Sequence, residues 1–171
     1  IPIPATALVP LTVLPLVGVL SQEKIALAFG NELILLMLGG FLISAAMERS
    51  GAHHRIALGM IRLIGGDSSR RIVFGFIIAS AMLSMWISNT ATALMMLPIA
   101  LAVIHQSPDK KLAIPLLLSI AYGSSIGGLG TPIGTPPNLV FMQQYEKFTD
   151  HSVSFVLWMS WGLPVGFVFI P

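Results

Sequence analysis

The run IVFGFIIASAMLSMWISNTATALMMLPIALAVIH, residues Ile72 to His105, decides the fold, because its 34 residues hold no acid and no base other than the terminal histidine. Two complete helical spans of a bilayer need roughly 40 residues plus a turn, and one span needs about 20, so the run fits neither. Its flanks narrow the choice. Arg49, Arg55, Arg62, Arg70 and Arg71 precede it and Lys110-Lys111 follow it. An excess of Lys and Arg marks the cytoplasmic side, so both flanks belong there. The arithmetic predicts a re-entrant hairpin over 72–106: two short helices that enter and leave on the cytoplasmic side, with the tip inside the membrane. The middle of the run is its most polar tripeptide, Ser88-Asn89-Thr90. Non-helical backbone at membrane depth is tolerated only when buried in protein or lining a wet cavity, which makes the tip a candidate site.

The composition supports a membrane protein. It is 55% hydrophobic and 9% charged, whereas soluble domains carry about 25% charged residues and need them to solvate a surface. A net charge of +2, spread among apolar segments, gives no nucleic-acid footprint. With no cysteine there is neither a disulfide nor a thiolate metal site. The opening Ile1-Pro2-Ile3-Pro4 lacks a basic n-region, which argues against a signal peptide and predicts that residues precede it.

Upstream of the run, residues 1–47 read as two antiparallel spans, about Ala5 to Leu20 and Ile25 to Met47. The small pair Gly39-Gly40 lies in the second, where a neighbouring helix can approach. Residues 48–71 interleave five of the nine bases with Ile56, Leu58, Met60, Ile61, Leu63 and Ile64, the texture of an amphipathic segment in the cytoplasmic headgroup plane. Downstream, 112–145 again holds 34 residues without charge, but Lys110-Lys111 precedes it and Glu146, Asp150 and His151 follow, so it should cross. Its middle, Gly123 to Asn138, has five glycines and three prolines and cannot be one continuous helix. The expectation is a broken span: a helix, an unwound stretch, and a second helix from Pro136. A last span starts near Val153, within 152–171, and is cut mid-element at Pro171.

Two helices should thus begin inside the bilayer, one after Ser88-Asn89-Thr90 and one after Thr135. Ser, Asn and Thr are preferred N-caps, and proline suits a first helical turn. A helix N-terminus offers free N–H groups and roughly half a positive charge, which suits an anion. The helix entering the tip should end near Ile87, and the unwound glycines from Gly130 to Gly134 leave carbonyls without helical partners. Carbonyl and hydroxyl oxygens of discontinuous helices hold sodium. Ser84, one turn before Ser88, can face the same spot. No Lys or Arg lies near either break. A bound anion would then be held by neutral donors, and a co-bound cation would offset its charge, coupling anion affinity to sodium.

Ser88-Asn89-Thr90, within Met85-Trp86-Ile87-Ser88-Asn89-Thr90-Ala91-Thr92-Ala93, and Gly134-Thr135-Pro136-Pro137-Asn138 resemble the paired motifs of the divalent anion/sodium symporters, carriers of di- and tricarboxylates or sulfate. The resemblance covers nearly the whole chain. It implies an all-α integral membrane transporter repeat with a re-entrant helical hairpin and a broken transmembrane helix, in a multi-pass protein of the cell membrane. It implies that Ser84, the Ile87 carbonyl, Ser88, Asn89 and Gly134 hold a co-transported sodium ion, and that Ser88, Asn89, Thr90, Thr135 and Pro136 meet a small dicarboxylate. A homodimer with an elevator-like transport domain follows from the resemblance alone. That family has two inverted repeats, each with its own Ser-Asn-Thr, and one such motif occurs here. The chain is therefore similar to the first repeat, with half the site on a second repeat of the same polypeptide.

Plainer readings stand beside these. Ser88-Asn89-Thr90 can be a polar patch for helix packing, Thr135-Pro136-Pro137-Asn138 a plain turn, and the Gly123/Gly127 spacing a close helix contact. Pro98 reads as a kink, His53-His54 as a solvated interfacial pair, Met82, Met85, Met95 and Met96 as packing, and Trp158 and Trp161 as an interfacial belt. Three other functions remain: a related anion permease with proton coupling or a sulfate-like substrate, an inert structural module, and an intramembrane hydrolase. The hydrolase would use Ser84 or Ser88 as nucleophile with His105 as base, and needs that histidine beside the serine.

Overall fold

The computed structural model describes residues 2–64 and 68–170, and among these every regular element is helical. The chain divides into two compact units, Ile1–Leu38 and Gly39–Pro171.

In the first unit, α1 (Ile3–Leu16) carries Pro10 and Pro15 inside it and ends before Gly18, whose φ of +70° suits a residue without a side chain. Helix α2 (Gln22–Phe29) starts on Ser21, whose hydroxyl accepts the Lys24 N–H. The continuous helix expected from Ile25 to Met47 is instead divided. Helix α2 stops at Gly30, and α3 (Glu32–Ser50), whose residues from Gly39 on belong to the second unit, restarts on Asn31, whose Oδ1 accepts the Leu33 N–H at 2.8 Å. An Asn side chain that satisfies a first-turn donor starts a new helix as readily as it interrupts one. Helix α3, with 19 residues, is long and apolar enough to cross a membrane.

In the second unit, Gly51, at φ +66°, turns the chain from α3 into α4 (Ala52–Ile64). Helix α4 is amphipathic as expected, but its narrow inner stripe, His53 and Ala57, is buried in protein, packed with α5, while Arg55 and Arg62 stay outside. His53 is therefore not solvated: its Nδ1 lies 3.0 Å from the Met47 carbonyl oxygen.

Helix α5 (Ser69–Ser84), a turn over 85–88 and α6 (Asn89–Gln106) follow. The two arms open at the same end, because the Ser69 hydroxyl donates to Asp109 Oδ2 at 3.0 Å, three residues beyond α6. The arms are unequal, and α6, at 18 residues, is itself long and apolar enough to cross a membrane. After a 3-10 turn (Lys110–Leu112), α7 (Ala113–Gly127) lies along α5 and against α6. One core joins the three: Phe76, Ala79 and Leu83 of α5, Met96 and Ala100 of α6, and Leu116 and Ile120 of α7.

In water, burying each large member would contribute about 1.5–3 kcal/mol. Against lipid that transfer term vanishes and close packing must supply the attraction. The α5/α7 contact is built for it: a Cβ at Gly123 would stand 2.6 Å from the Ile77 carbonyl oxygen, and one at Gly127 would run into the Ala81 backbone. The Gly123/Gly127 pair is thus a helix-packing device. The chain then unwinds over 128–135, forms α8 (Pro136–Thr149), and reaches α9 (Phe155–Phe169), capped by the Ser154 hydroxyl. At 14 residues α8 is too short to cross a bilayer by itself, as is α7 at 15.

Candidate functional site

The two interrupted helices meet. At the hairpin turn, α5 ends at Ser84, earlier than the expected Ile87. Trp86 and Ile87 fold their N–H groups back onto the Leu83 carbonyl oxygen at 3.0 Å each, which tightens the turn. Ser84, completely buried, donates its hydroxyl to Asn89 Oδ1 at 2.7 Å. Ser88 is the N-cap of α6 and accepts the Ala91 N–H at 3.3 Å. The N–H groups of Asn89 and Thr90 bond to nothing among the described residues, and neither does the buried Ile87's carbonyl oxygen.

The unwound stretch lies against this turn. Gly128 touches the Asn89 amide so closely that a Cβ there would be 2.6 Å from Oδ1, and Gly134 is packed on the Gly128 backbone, its own Cβ position 2.5 Å from the Gly128 carbonyl oxygen. Side chains pin the stretch. The buried Thr131 donates to the Met85 carbonyl oxygen of the turn at 2.5 Å. Asn138 donates from Nδ2 to the carbonyl oxygens of Gly128 at 2.7 Å and Thr131 at 2.9 Å, and Trp158 donates its indole N–H to Leu129 at 2.9 Å. From α3, Gly40 approaches within 3.0 Å of Ile133, measured from its Cβ position.

Of the residues singled out by sequence, the structure therefore joins Ser84 and Asn89 directly and Gly134 to them through Gly128. Ser88 and Thr90 are exposed on the same turn, and Thr135 is half-buried and Pro136 exposed at the start of α8. Thr135 occupies the N-cap position, but its side chain caps nothing. Pro136 and Pro137 have no N–H, and the Asn138 N–H goes to the Thr135 carbonyl. The α8 end thus contributes its dipole and the Thr135 hydroxyl, while free backbone donors come from α6.

Thr131, Gly128 and Asn138 were not assigned individual roles from sequence. The visible signal was the density of Gly, Thr and Asn in 123–138, which marks irregular backbone needing polar anchors. Trp158, read as belt, is one of those anchors. Two buried hydroxyls, Ser80 on α5 and Thr92 on α6, have no partner among the described residues, in contrast to Ser119 and Ser124 on α7, which bond to carbonyls of their own helix.

The oxygens at the crossing are hydroxyls, amide oxygens and unpaired carbonyls, a neutral set suited to a hard monovalent cation rather than a transition metal. Among the described residues no three His, Asp or Glu side chains converge. His105 sits at the far end of α6 from Ser88, about 25 Å away at 1.5 Å per residue, out of reach of Ser84 or Ser88 as a base.

The model of the citrate transporter family (CitMHS) matches residues 1–171. A sodium-dependent dicarboxylate transporter, SdcS, of Staphylococcus aureus strain NCTC 8325 is 42% identical over 181 residues, covering 99% of this chain and 35% of the relative, and its counterparts in strains COL and MRSA252 give the same values. The chain thus spans about a third of the length of the curated relatives it matches. By the match over its whole length, this chain belongs to the citrate transporter family, a family of membrane carriers and not of enzymes.

Proposed function

We propose that this chain is one repeat of a sodium-coupled carrier that takes up small dicarboxylates of the succinate type. The observation that carries the reading is the Ser84–Asn89 pair packed on Gly128. It sets two polar oxygens of the hairpin turn against the break of the second span, with no charged side chain in either. In this reading Ser84, Ser88 and Asn89 with the carbonyls of Ile87 and Gly134 surround a sodium ion. Ser88, Asn89, Thr90, Thr135 and the Pro136 end of α8 meet a substrate carboxylate. The free N–H groups of Asn89 and Thr90 and the N-terminal ends of α6 and α8 stabilise its negative charge.

The topology proposed with it has two scaffold spans in 1–47, the 48–71 segment at the cytoplasmic surface, and the re-entrant hairpin of 72–106 with its turn at membrane depth. The broken span of 112–145 follows, and a further span starts in 152–171. A second repeat would supply the far wall of the pocket, in a homodimeric, multi-pass protein of the cell membrane. That SdcS is a sodium-dependent dicarboxylate transporter supports this reading. No Asp, Glu, Lys or Arg lies between Ile72 and Pro108 or between Leu112 and Tyr145, and His105, the one histidine of these runs, sits at the far end of α6 from the turn.

The test is radiolabelled succinate uptake into proteoliposomes containing the intact transporter, with an inward sodium gradient or with choline in its place, for wild type and Asn89→Ala. Sodium-dependent uptake abolished by the substitution is the expected result. Uptake indifferent to sodium or to Asn89 would move the assignment to a sulfate-type or proton-coupled permease.

A further inference from the structure

Away from the crossing of the two breaks, a groove of about 710 Å3 lies where the start of α5 meets the 3-10 turn and the start of α7. Its rim carries Arg70, Arg71 and Lys111, all exposed, and its wall is Phe74, Ile77 and Pro115. The one acid in the lining, Asp109, is already engaged: its Oδ2 accepts the Ser69 hydroxyl at 3.0 Å and its Oδ1 accepts the Lys111 backbone N–H at 3.0 Å. Among the described residues none of the three basic heads is within ion-pair distance of a carboxylate. The N-terminal end of α5, a 16-residue helix, adds partial positive charge at the same rim.

We propose that this groove is a binding site for an anionic phospholipid, with its phosphate at Arg70, Arg71 and Lys111 and an acyl chain along Phe74 and Ile77. The pairing of a cationic rim with an apolar wall selects the occupant. A free anion would use the rim and leave the wall wet, and an apolar helix would fill the wall and leave the basic rim unused. An anionic lipid satisfies both surfaces, and basic pockets between helices at the cytoplasmic surface take such headgroups. The inference rests on the proposed topology, which sets the start of α5 at the cytoplasmic membrane surface.

A lipid titration of the intact transporter in neutral detergent tests it. Phosphatidylglycerol and phosphatidylcholine are added at equal concentration and the retained lipid is read by native mass spectrometry. Wild type should prefer phosphatidylglycerol. The triple substitution Arg70→Gln, Arg71→Gln, Lys111→Gln should lower that preference by up to about 100-fold, at about fivefold per basic residue, with phosphatidylcholine retention unchanged. The substituted side chains are exposed, so a gel-filtration profile like that of wild type is expected. Equal retention of both lipids by wild type, as when another segment of the polypeptide fills the groove, would overturn the proposal. So would an unchanged preference in the triple variant, or displacement of phosphatidylglycerol by equimolar inorganic phosphate. Topology is read separately, by labelling Gln106→Cys with a membrane-impermeant maleimide from each side. Labelling from outside alone refutes the topology, whereas the micelle titration reads the groove.

Discussion

Adding one methyl group at Gly128 isolates the contact between the two breaks. Built on the backbone as it stands, the new Cβ would lie 2.6 Å from Asn89 Oδ1 and 3.2 Å from Nδ2, inside the roughly 3.3 Å at which carbon and oxygen normally meet. The Asn89 amide is the end of a side chain, so it yields before the backbone does and swings away from the Ser84 hydroxyl, now 2.7 Å distant. Ser84 is completely buried and would be left without a partner, a cost of about 1–3 kcal/mol. A sodium ion that uses Asn89 must either force the amide back against the methyl or do without that ligand. In both cases sodium binding weakens by a similar amount, which raises half-saturating sodium about 5- to 150-fold. Initial succinate uptake in proteoliposomes, measured against sodium concentration, reads this directly for Gly128→Ala. Gly59→Ala is the control, because nothing lies within 4 Å of a Cβ on that glycine. A folded Gly128→Ala protein whose sodium dependence stays within twofold of wild type would refute the placing of Asn89 in the cation site.

The neighbouring glycine should behave differently: a methyl at Gly127 meets the Ala81 backbone, which cannot swing aside. Gly127→Ala is expected to cost about 3 kcal/mol, at the upper end for overpacking, and to show as lost monodisperse protein in gel filtration rather than as an altered sodium response. Thr131→Val removes the hydroxyl that ties the unwound stretch to the Met85 carbonyl; it should lower stability in detergent by about 1–2 kcal/mol, and Thr131→Ser should restore most of the loss, both read by thermal melting. Ser80→Ala and Thr92→Val delete hydroxyls that have no partner among the described residues. They are expected to be neutral or mildly stabilising in the same melt, and a loss of more than about 1 kcal/mol in either would mean that the hydroxyl has a partner after all.

What sequence could and could not foresee follows from the range of the interactions involved. Charge-free run lengths, basic flanks and Gly/Pro density are local quantities, and they predicted a helix pair turning near Ser88 and a span broken within Gly123 to Asn138, with a second helix from Pro136. The common opening of α5 and α6, tied by Ser69 and Asp109, puts the two flanks at one end of the helix pair. The division of 22–50 at Asn31 was equally local but ambiguous, because Asn can cap or interrupt a helix within an apolar run. His53 was misread because periodicity alone cannot tell a headgroup plane from a protein neighbour on the inner face of α4. The anchors Thr131, Asn138 and Trp158 act on carbonyls of the unwound stretch or, for Thr131, of a turn 46 residues away. No spacing rule reaches a partner that only tertiary contact supplies.

The neutral character of the crossing is the feature with the widest consequence for coupling. Between Ile72 and Pro108, and again between Leu112 and Tyr145, there is no Lys, Arg, Asp or Glu, so both breaks carry only dipoles. Dipoles can hold a carboxylate, but each helix end supplies roughly half a charge, less than a divalent anion brings. The Pro136-Pro137 start of α8 has given up backbone donors besides. A cation on the Ser84–Asn89 side would supply the missing positive charge next to the same amide, and withdrawing it would weaken the anion. In that arrangement Asn89 belongs to both sites at once: its side-chain oxygen faces the cation while its backbone N–H is free for the anion. A substitution that spared the side-chain oxygen but displaced the backbone of the turn should therefore impair succinate binding more than sodium binding. Gly128→Ala, which moves the side chain and leaves the backbone, should do the reverse.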